Sequence, residues 1–204
     1  MRMLIFNGSA QKDGTIAQLA ARLAKSAEEE ALFLKNECKT KVVHLADEMK
    51  SFHEGSFDTH PKWFQSLGYE LAQDADAFAI VTGVHWGFPS DLVVSFLEQL
   101  TPFEHAKVSL LSGKVAGVLV HEHEGGAMTV AAQVKHALGL MSCDVPPNAA
   151  LWVNKHMKEK SERYPPDLTR GWMEYAPELV GQVMVRKFFE RISTAYPPNW
   201  SLRI

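Results

Sequence analysis

The chain has 204 residues, 46% hydrophobic and 22% charged, an ordinary globular composition that excludes extended disorder and suits one domain with a full core. Its net charge of −3 leaves no basic block to neutralise nucleic-acid phosphates, and it is too mild for a carrier that docks through a strongly acidic face. Cys38 and Cys143, the two cysteines, make neither a disulfide framework nor a cysteine-rich metal site, and suit a reducing compartment.

Met1-Arg2-Met3-Leu4-Ile5-Phe6 turns polar at Asn7, too early for a secretion signal, and no run is long enough to cross a bilayer. A cytoplasmic location without a membrane partner is therefore expected. Met3 to Phe6 reads as a buried strand stopped by Asn7-Gly8-Ser9. From Thr15 the period becomes helical, with Ile16, Leu19, Ala20, Leu23, Ala24 and Ala27 on one face. Lys41 to Leu45 is a second strand, residues 46 to 60 a polar loop, and a helix after Pro61 carries Trp63, Phe64, Leu67 and Leu71. Ala77 to Thr82 is a third strand closed by Gly83, followed by a helix from about Ser90 that turns Leu92, Val93, Phe96, Leu97 and Leu100 inward. Val115 to Val120 is a fourth strand, and the next helix carries Val130, Val134, Ala137, Leu138 and Met141. Ala149 to Val153 is a fifth strand, residues 154 to 170 a loop, and a last helix runs from near Gly171 to Thr194 before a tail. Five apolar runs alternating with helices predict a parallel sheet covered on both faces. The reading is one domain over 1–204, with 154–204 as its C-terminal loop, helix and tail.

In open parallel sheets a ligand sits outside the carboxyl ends of the strands. Three loops there are unusual. Asn7 to Thr15 opens a helix, where unpaired amides and the helix dipole favour a phosphate; Ser9, Gln11, Lys12 and Thr15 can add donors. A plain turn with Thr15 or Asp13 as the helix cap is the competing reading. Thr82-Gly83-Val84-His85-Trp86-Gly87-Phe88-Pro89-Ser90 suits a flat ligand approached by backbone amides, although Trp86 and Phe88 can equally pack on a helix. The third loop holds His121 and His123 with Glu122 and Glu124; a metal would need further ligands that the sequence does not identify, and none is expected.

Taken together, Gly8-Ser9-Ala10-Gln11-Lys12-Asp13-Gly14, Val84-His85-Trp86-Gly87 with Ser90, Phe96 and Leu97, and Gly113 to Gly117 followed by Gly125-Gly126 resemble the NAD(P)H-dependent FMN reductases and the related iron–sulfur flavoprotein group of the flavodoxin-like superfamily. The cysteines that hold a cluster in the iron–sulfur branch are absent, and so are the proline and arginine usual at Ala10 and Gln11. The resemblance implies a flavodoxin-like three-layer sandwich with a five-stranded parallel sheet in the order 2-1-3-4-5, binding FMN noncovalently. It places Ser9, Gln11, Lys12, Gly14 and Thr15 at the phosphate, and Thr82, Gly83, Val84, His85, Trp86, Gly87, His121, Gly125 and Gly126 around the ring. NADH or NADPH would be the electron donor and a small molecule such as a quinone or free flavin the acceptor. His85, if it faces the ring, is the candidate catalytic side chain, adjusting the flavin potential or donating a proton to a quinone, and a histidine hydrogen-bonded within the loop is the competing reading. A homodimer or homotetramer is expected, with the tail from Tyr196 to Ile204 as an interface candidate. A flavodoxin-type electron carrier, a metal-dependent hydrolase using His121 and His123, and a cofactor-free binding module are the alternatives.

Overall fold

A computed structural model describes residues 1–48, 67–101, 109–122, 125–154 and 175–193. Five strands, β1 (Arg2–Asn7), β2 (Lys39–His44), β3 (Ala77–His85), β5 (Val115–Glu122) and β6 (Ala150–Asn154), form a parallel sheet in the order β2-β1-β3-β5-β6. This is the expected order, with one addition. A two-residue strand, β4 (Phe88–Pro89), folds back antiparallel on the end of β3.

Successive side chains of a strand point to opposite faces, so continuous apolar runs bury both faces of the sheet. Leu4, Phe6, Phe78, Ile80, Val118 and Val120 face α3 (Asp91–Gln99) and α4 (Ala127–Leu140). The alternate residues Met3, Ile5, Ala79, Val81 and Leu119 face α1 (Thr15–Phe33) and α5 (Ala176–Ser193). Phe6 anchors the first layer, its ring centroid 4.4 Å from that of Phe96 and 6.1 Å from that of Phe78.

The helix α5 lies on α1. Arg22 Nε and Nη2 donate to the two carboxylate oxygens of Glu178 at 2.8 and 2.9 Å, Ser26 Oγ donates to the Glu178 carbonyl, and Arg186 Nε donates to the buried Glu30 at 2.6 Å. The helices approach so closely at Gly181 that a Cβ there would lie 2.8 Å from the Leu23 carbonyl oxygen.

Several boundaries differ from expectation. Strand β2 ends at His44, and Leu45–Glu48 forms a short helix, α2, where a polar loop was expected from residue 46; Leu45, fully buried, anchors it. Strands β3 and β5 run on to His85 and Glu122 rather than stopping at Thr82 and Val120, because backbone pairing continues through Gly83↔His121 and Glu122↔Asn154 after the apolar run ends. Leu67 and Leu71 are buried as expected, and Glu70–Asp74 is π-helical. Trp63, Phe64, His123, Glu124, Trp172 and the tail from Tyr196 to Ile204 lie outside the described residues.

Candidate active site

The three unusual loops leave the same edge of the sheet, after β1, β3 and β5. The first is held from below. Gly8 N–H donates to the Val81 carbonyl at 2.8 Å, and the Gly8 carbonyl accepts from Ser90 Oγ at 2.6 Å. A Cβ on Gly8 would lie 2.3 Å from Val93 Cγ2, so only glycine lets this loop rest against the start of α3. Asn7, fully buried, accepts the Ser9 N–H on Oδ1 at 3.0 Å and bonds through Nδ2 to His44 Nδ1 at 2.8 Å. Ser9 Oγ then accepts the Gln11 N–H at 3.1 Å.

The cap of α1 is Gly14, in extended conformation and without a side-chain hydrogen bond, rather than Thr15 or Asp13. The first-turn amides of Thr15, Ile16 and Ala17 therefore keep the anion-binding capacity of an uncapped helix start. Gln11 curls back so that its Oε1 would be 2.8 Å from a Cβ on Gly14, and Thr15 is exposed. Lys12 Nζ lies 2.7 Å from Asp47 Oδ2 of α2, which fastens the outer side of the loop to the β2–α2 corner.

The second loop is a tight hairpin. Trp86 and Gly87 both have positive φ, 52° and 81°, as a two-residue turn between right-twisted strands requires. Trp86 is 99% exposed at its tip and Phe88 is exposed beside it. Thr82 is fully buried: its Oγ1 accepts the Ser90 N–H at 3.1 Å and donates to the Gly83 carbonyl at 3.1 Å. The hydroxyls of Thr82 and Ser90 are 3.3 Å apart, and Ser90 caps α3 by accepting the Val93 N–H. This buried cluster, Thr82–Ser90–Gly8, welds the first loop to the second. His85 is exposed, and its Nε2 lies 3.8 Å from the Cβ position of Gly83, on the side where Ile16 begins α1.

The third loop turns on Gly125 and Gly126, with φ of 128° and 93°. Glu122 Oε2 accepts the Ala127 N–H at 3.0 Å and so caps the start of α4. Gly126 comes so near the hairpin that its Cβ position is 3.6 Å from both Gly87 Cα and Val84 Cγ1. His121 is half-buried at the end of β5, where it is the register partner of Gly83 on β3. Among the described residues no three histidine, cysteine or acidic side chains converge as a metal site.

The structure thus brings the first-loop residues Ser9, Gln11, Gly14 and Thr15 to the start of α1, and Val84, Gly87 and Gly126 to a common seam. It sets Lys12 on Asp47 and Thr82 inside the weld. Asn7 and Ser90 stood in the first and second loops without an assigned role, and His44 is the residue that reasoning from sequence had not placed in the site. A lone asparagine at a strand end was the available signal for the Asn7–His44 pair, and the serine directly before a helix marked Ser90 as a cap.

Comparison with curated protein sequences gives no match. Three solved structures align along most of the chain. RosB with bound 8-demethyl-8-formylriboflavin-5'-phosphate superposes with a TM-score of 0.69 at 20% identity, covering 96% of this chain and 82% of RosB. The apo form of NADH:FMN oxidoreductase EMOB gives 0.63 at 16% identity, over 97% and 91%. FerB, a flavoenzyme NAD(P)H:(acceptor) oxidoreductase from Paracoccus denitrificans, gives 0.61 at 17% identity, over 93% and 97%. At these identities the likeness is one of fold, which is flavodoxin-like. The family model described as NADPH-dependent FMN reductase matches residues 1–158, from β1 past the end of β6 and through all three loops. The chain belongs to the NADPH-dependent FMN reductase family, and is an oxidoreductase that works with FMN and NAD(P)H.

Proposed function

We propose that the enzyme passes electrons from a reduced nicotinamide, by way of FMN, to a small acceptor such as a quinone or a free flavin. The observation that carries this reading is the close approach of Gly126 to Gly87 across the edge of the sheet, beside a helix start with no side-chain cap. A Cβ at Gly126 would fill the seam, and an acidic or hydroxyl cap would occupy the phosphate position. The residues present fit a flat ring with a phosphate tail.

When bound, FMN supplies hydride acceptance from the nicotinamide and release of electrons to the acceptor. The rest is the work of this chain. The amides of Thr15 to Ala17, the hydroxyls of Ser9 and Thr15 and the Gln11 amide group would hold the phosphate. Lys12, paired with Asp47, contributes charge only at the rim. Backbone groups of Gly83 to Gly87 would hold the ring, with Thr82 keeping that strand end in place. Gly125 and Gly126, both with positive φ, would let the third loop approach the ring's other side, next to His121. His85, exposed and able to turn toward an acceptor, donates a proton to a quinone oxygen.

The exposed Trp86 and Phe88 at the mouth favour a homodimer or homotetramer in which a neighbour covers them. The described residues contain no helix long and apolar enough to cross a membrane, and we place the enzyme in the cytoplasm. The test is the visible spectrum of the purified protein after addition of FMN and removal of the excess, followed by NADH and NADPH oxidation with quinones or free flavin. Retained flavin and acceptor-dependent turnover are expected. Retained flavin without turnover of any small acceptor would leave a carrier, and rejection of FMN would leave a cofactor-free module.

A further inference from the structure

We infer that His44, which lies outside all three loops, is a positioning residue for the phosphate: through Asn7 it holds the first loop in its anion-accepting shape. The inference rests on the FMN reading above. Asn7 and His44 are register partners at the ends of β1 and β2. Ser9 N–H points at Asn7 Oδ1 at 3.0 Å, and this fixes the carboxamide, because the flipped amide would set donor against donor. Nδ2 must then donate to His44 Nδ1, 2.8 Å away. The imidazole accepts at Nδ1 and carries its hydrogen on Nε2.

From there the bonds run along the loop. His44 holds Asn7, Asn7 holds the Ser9 amide, Ser9 Oγ holds the Gln11 amide, and Gln11 lies against Gly14 at the start of α1. Asn7 is fully buried, so loss of the acceptor at His44 leaves its amide group without a partner and favours rotation away from Ser9. The other tie from this corner, Lys12 to Asp47, is exposed on both sides and too weak to substitute. The second loop is held by Thr82, Ser90 and the Gly8 carbonyl, bonds that do not pass through His44 or the Ser9–Gln11 segment, and the third is held by Glu122. Loss of His44 therefore acts on the phosphate end of the ligand and spares the ring.

The test compares FMN with riboflavin, which has the ring without the phosphate, by flavin-fluorescence titration of the flavin-stripped protein. His44→Leu is expected to lose about tenfold in FMN affinity, the worth of one buried hydrogen bond, with riboflavin affinity held within about twofold. His44→Gln, whose Oε1 can accept from Asn7, is expected to restore FMN affinity to within about threefold of the parent. Equal losses for both ligands in His44→Leu, or no loss, overturn the inference while the flavin site stands. A parent protein that fails to prefer FMN over riboflavin overturns the phosphate-loop reading itself. A measurement independent of any variant is the 15N–1H correlation of the His44 ring: the Nε2–H tautomer is expected, and the Nδ1–H tautomer refutes the arrangement.

Discussion

Replacing Ser90 by alanine removes three functions of one buried hydroxyl. It donates to the Gly8 carbonyl at 2.6 Å, accepts from Val93 N–H at 3.4 Å, and stands 3.3 Å from Thr82 Oγ1. Loss of a helix cap costs about 1 kcal/mol, and the long bond to Val93 puts this one at the low end. The Gly8 carbonyl, left buried without its donor, costs a further 1–3 kcal/mol or so. The expected total is about 2–3 kcal/mol. With a urea slope of about 2 kcal/mol per molar, the midpoint in urea should fall by about 1 M, read by far-UV circular dichroism on the flavin-free protein. FMN affinity should fall as well, because Gly8 ties the first loop to the second. Thr82→Val removes a neighbouring arm of the same cluster, so the double variant should deviate from additivity by at least about 0.5 kcal/mol. A midpoint shift under about 0.3 M, or strictly additive losses, would refute the claim that this cluster welds the two loops.

Gly181→Ala forces a methyl to within 2.8 Å of the Leu23 carbonyl oxygen and 3.1 Å of the Ala27 nitrogen, backbone atoms that cannot step aside. Overpacking of about 1–3 kcal/mol outweighs the gain of up to about 1 kcal/mol in helix propensity, so thermal denaturation should show a Tm about 3–6 °C lower; an unchanged or higher Tm would contradict the close approach of α1 and α5. Within one copy Trp86→Asn relieves about 0.5–1 kcal/mol of strain, since asparagine tolerates the φ of 52° better, but it removes the exposed indole that a neighbour covers in the proposed oligomer. Sedimentation should therefore show weaker self-association, and a variant that is more stable and associates unchanged would refute that role for Trp86. Burial pushes the Cys38 and Cys143 thiols up to about 11 and about 12 from 9.0. In the unfolded chain they ionise first, so the folded state holds more protons above pH 9, and stability should fall as pH rises from 9 toward 11. Cys38→Ser/Cys143→Ser should lessen that slope in urea titrations, and an unchanged slope would assign it to other groups.

Apolar runs such as Leu4-Ile5-Phe6 and Phe78-Ala79-Ile80-Val81 can be buried only between two helical layers, so the layered α/β architecture was legible in the chain. The helical faces were equally plain: Ile16, Leu19, Ala20, Leu23 and Ala27 are buried together, as are Val130, Val134 and Leu138. The ordered set of three loops pointed to a flavin enzyme, and residues 1–158 belong to that family. What periodicity could not reach was the end of each strand, because pairing through Gly83 and His121 depends on the neighbouring backbone and not on hydrophobicity. It also could not say which polar side chains are taken up in holding the loops. Thr82 and Lys12 carry suitable donors, yet one is sealed against Ser90 and the other sits on Asp47. His44, 37 positions from Asn7, meets it only because β2 pairs with β1 in this register. A residue type specifies the hydrogen bonds a side chain can make, and the sequence determined that repertoire together with the burial of each element. Which partner takes up each bond depends on strand order and register, contacts between residues far apart in the chain, and only the tertiary structure decides them.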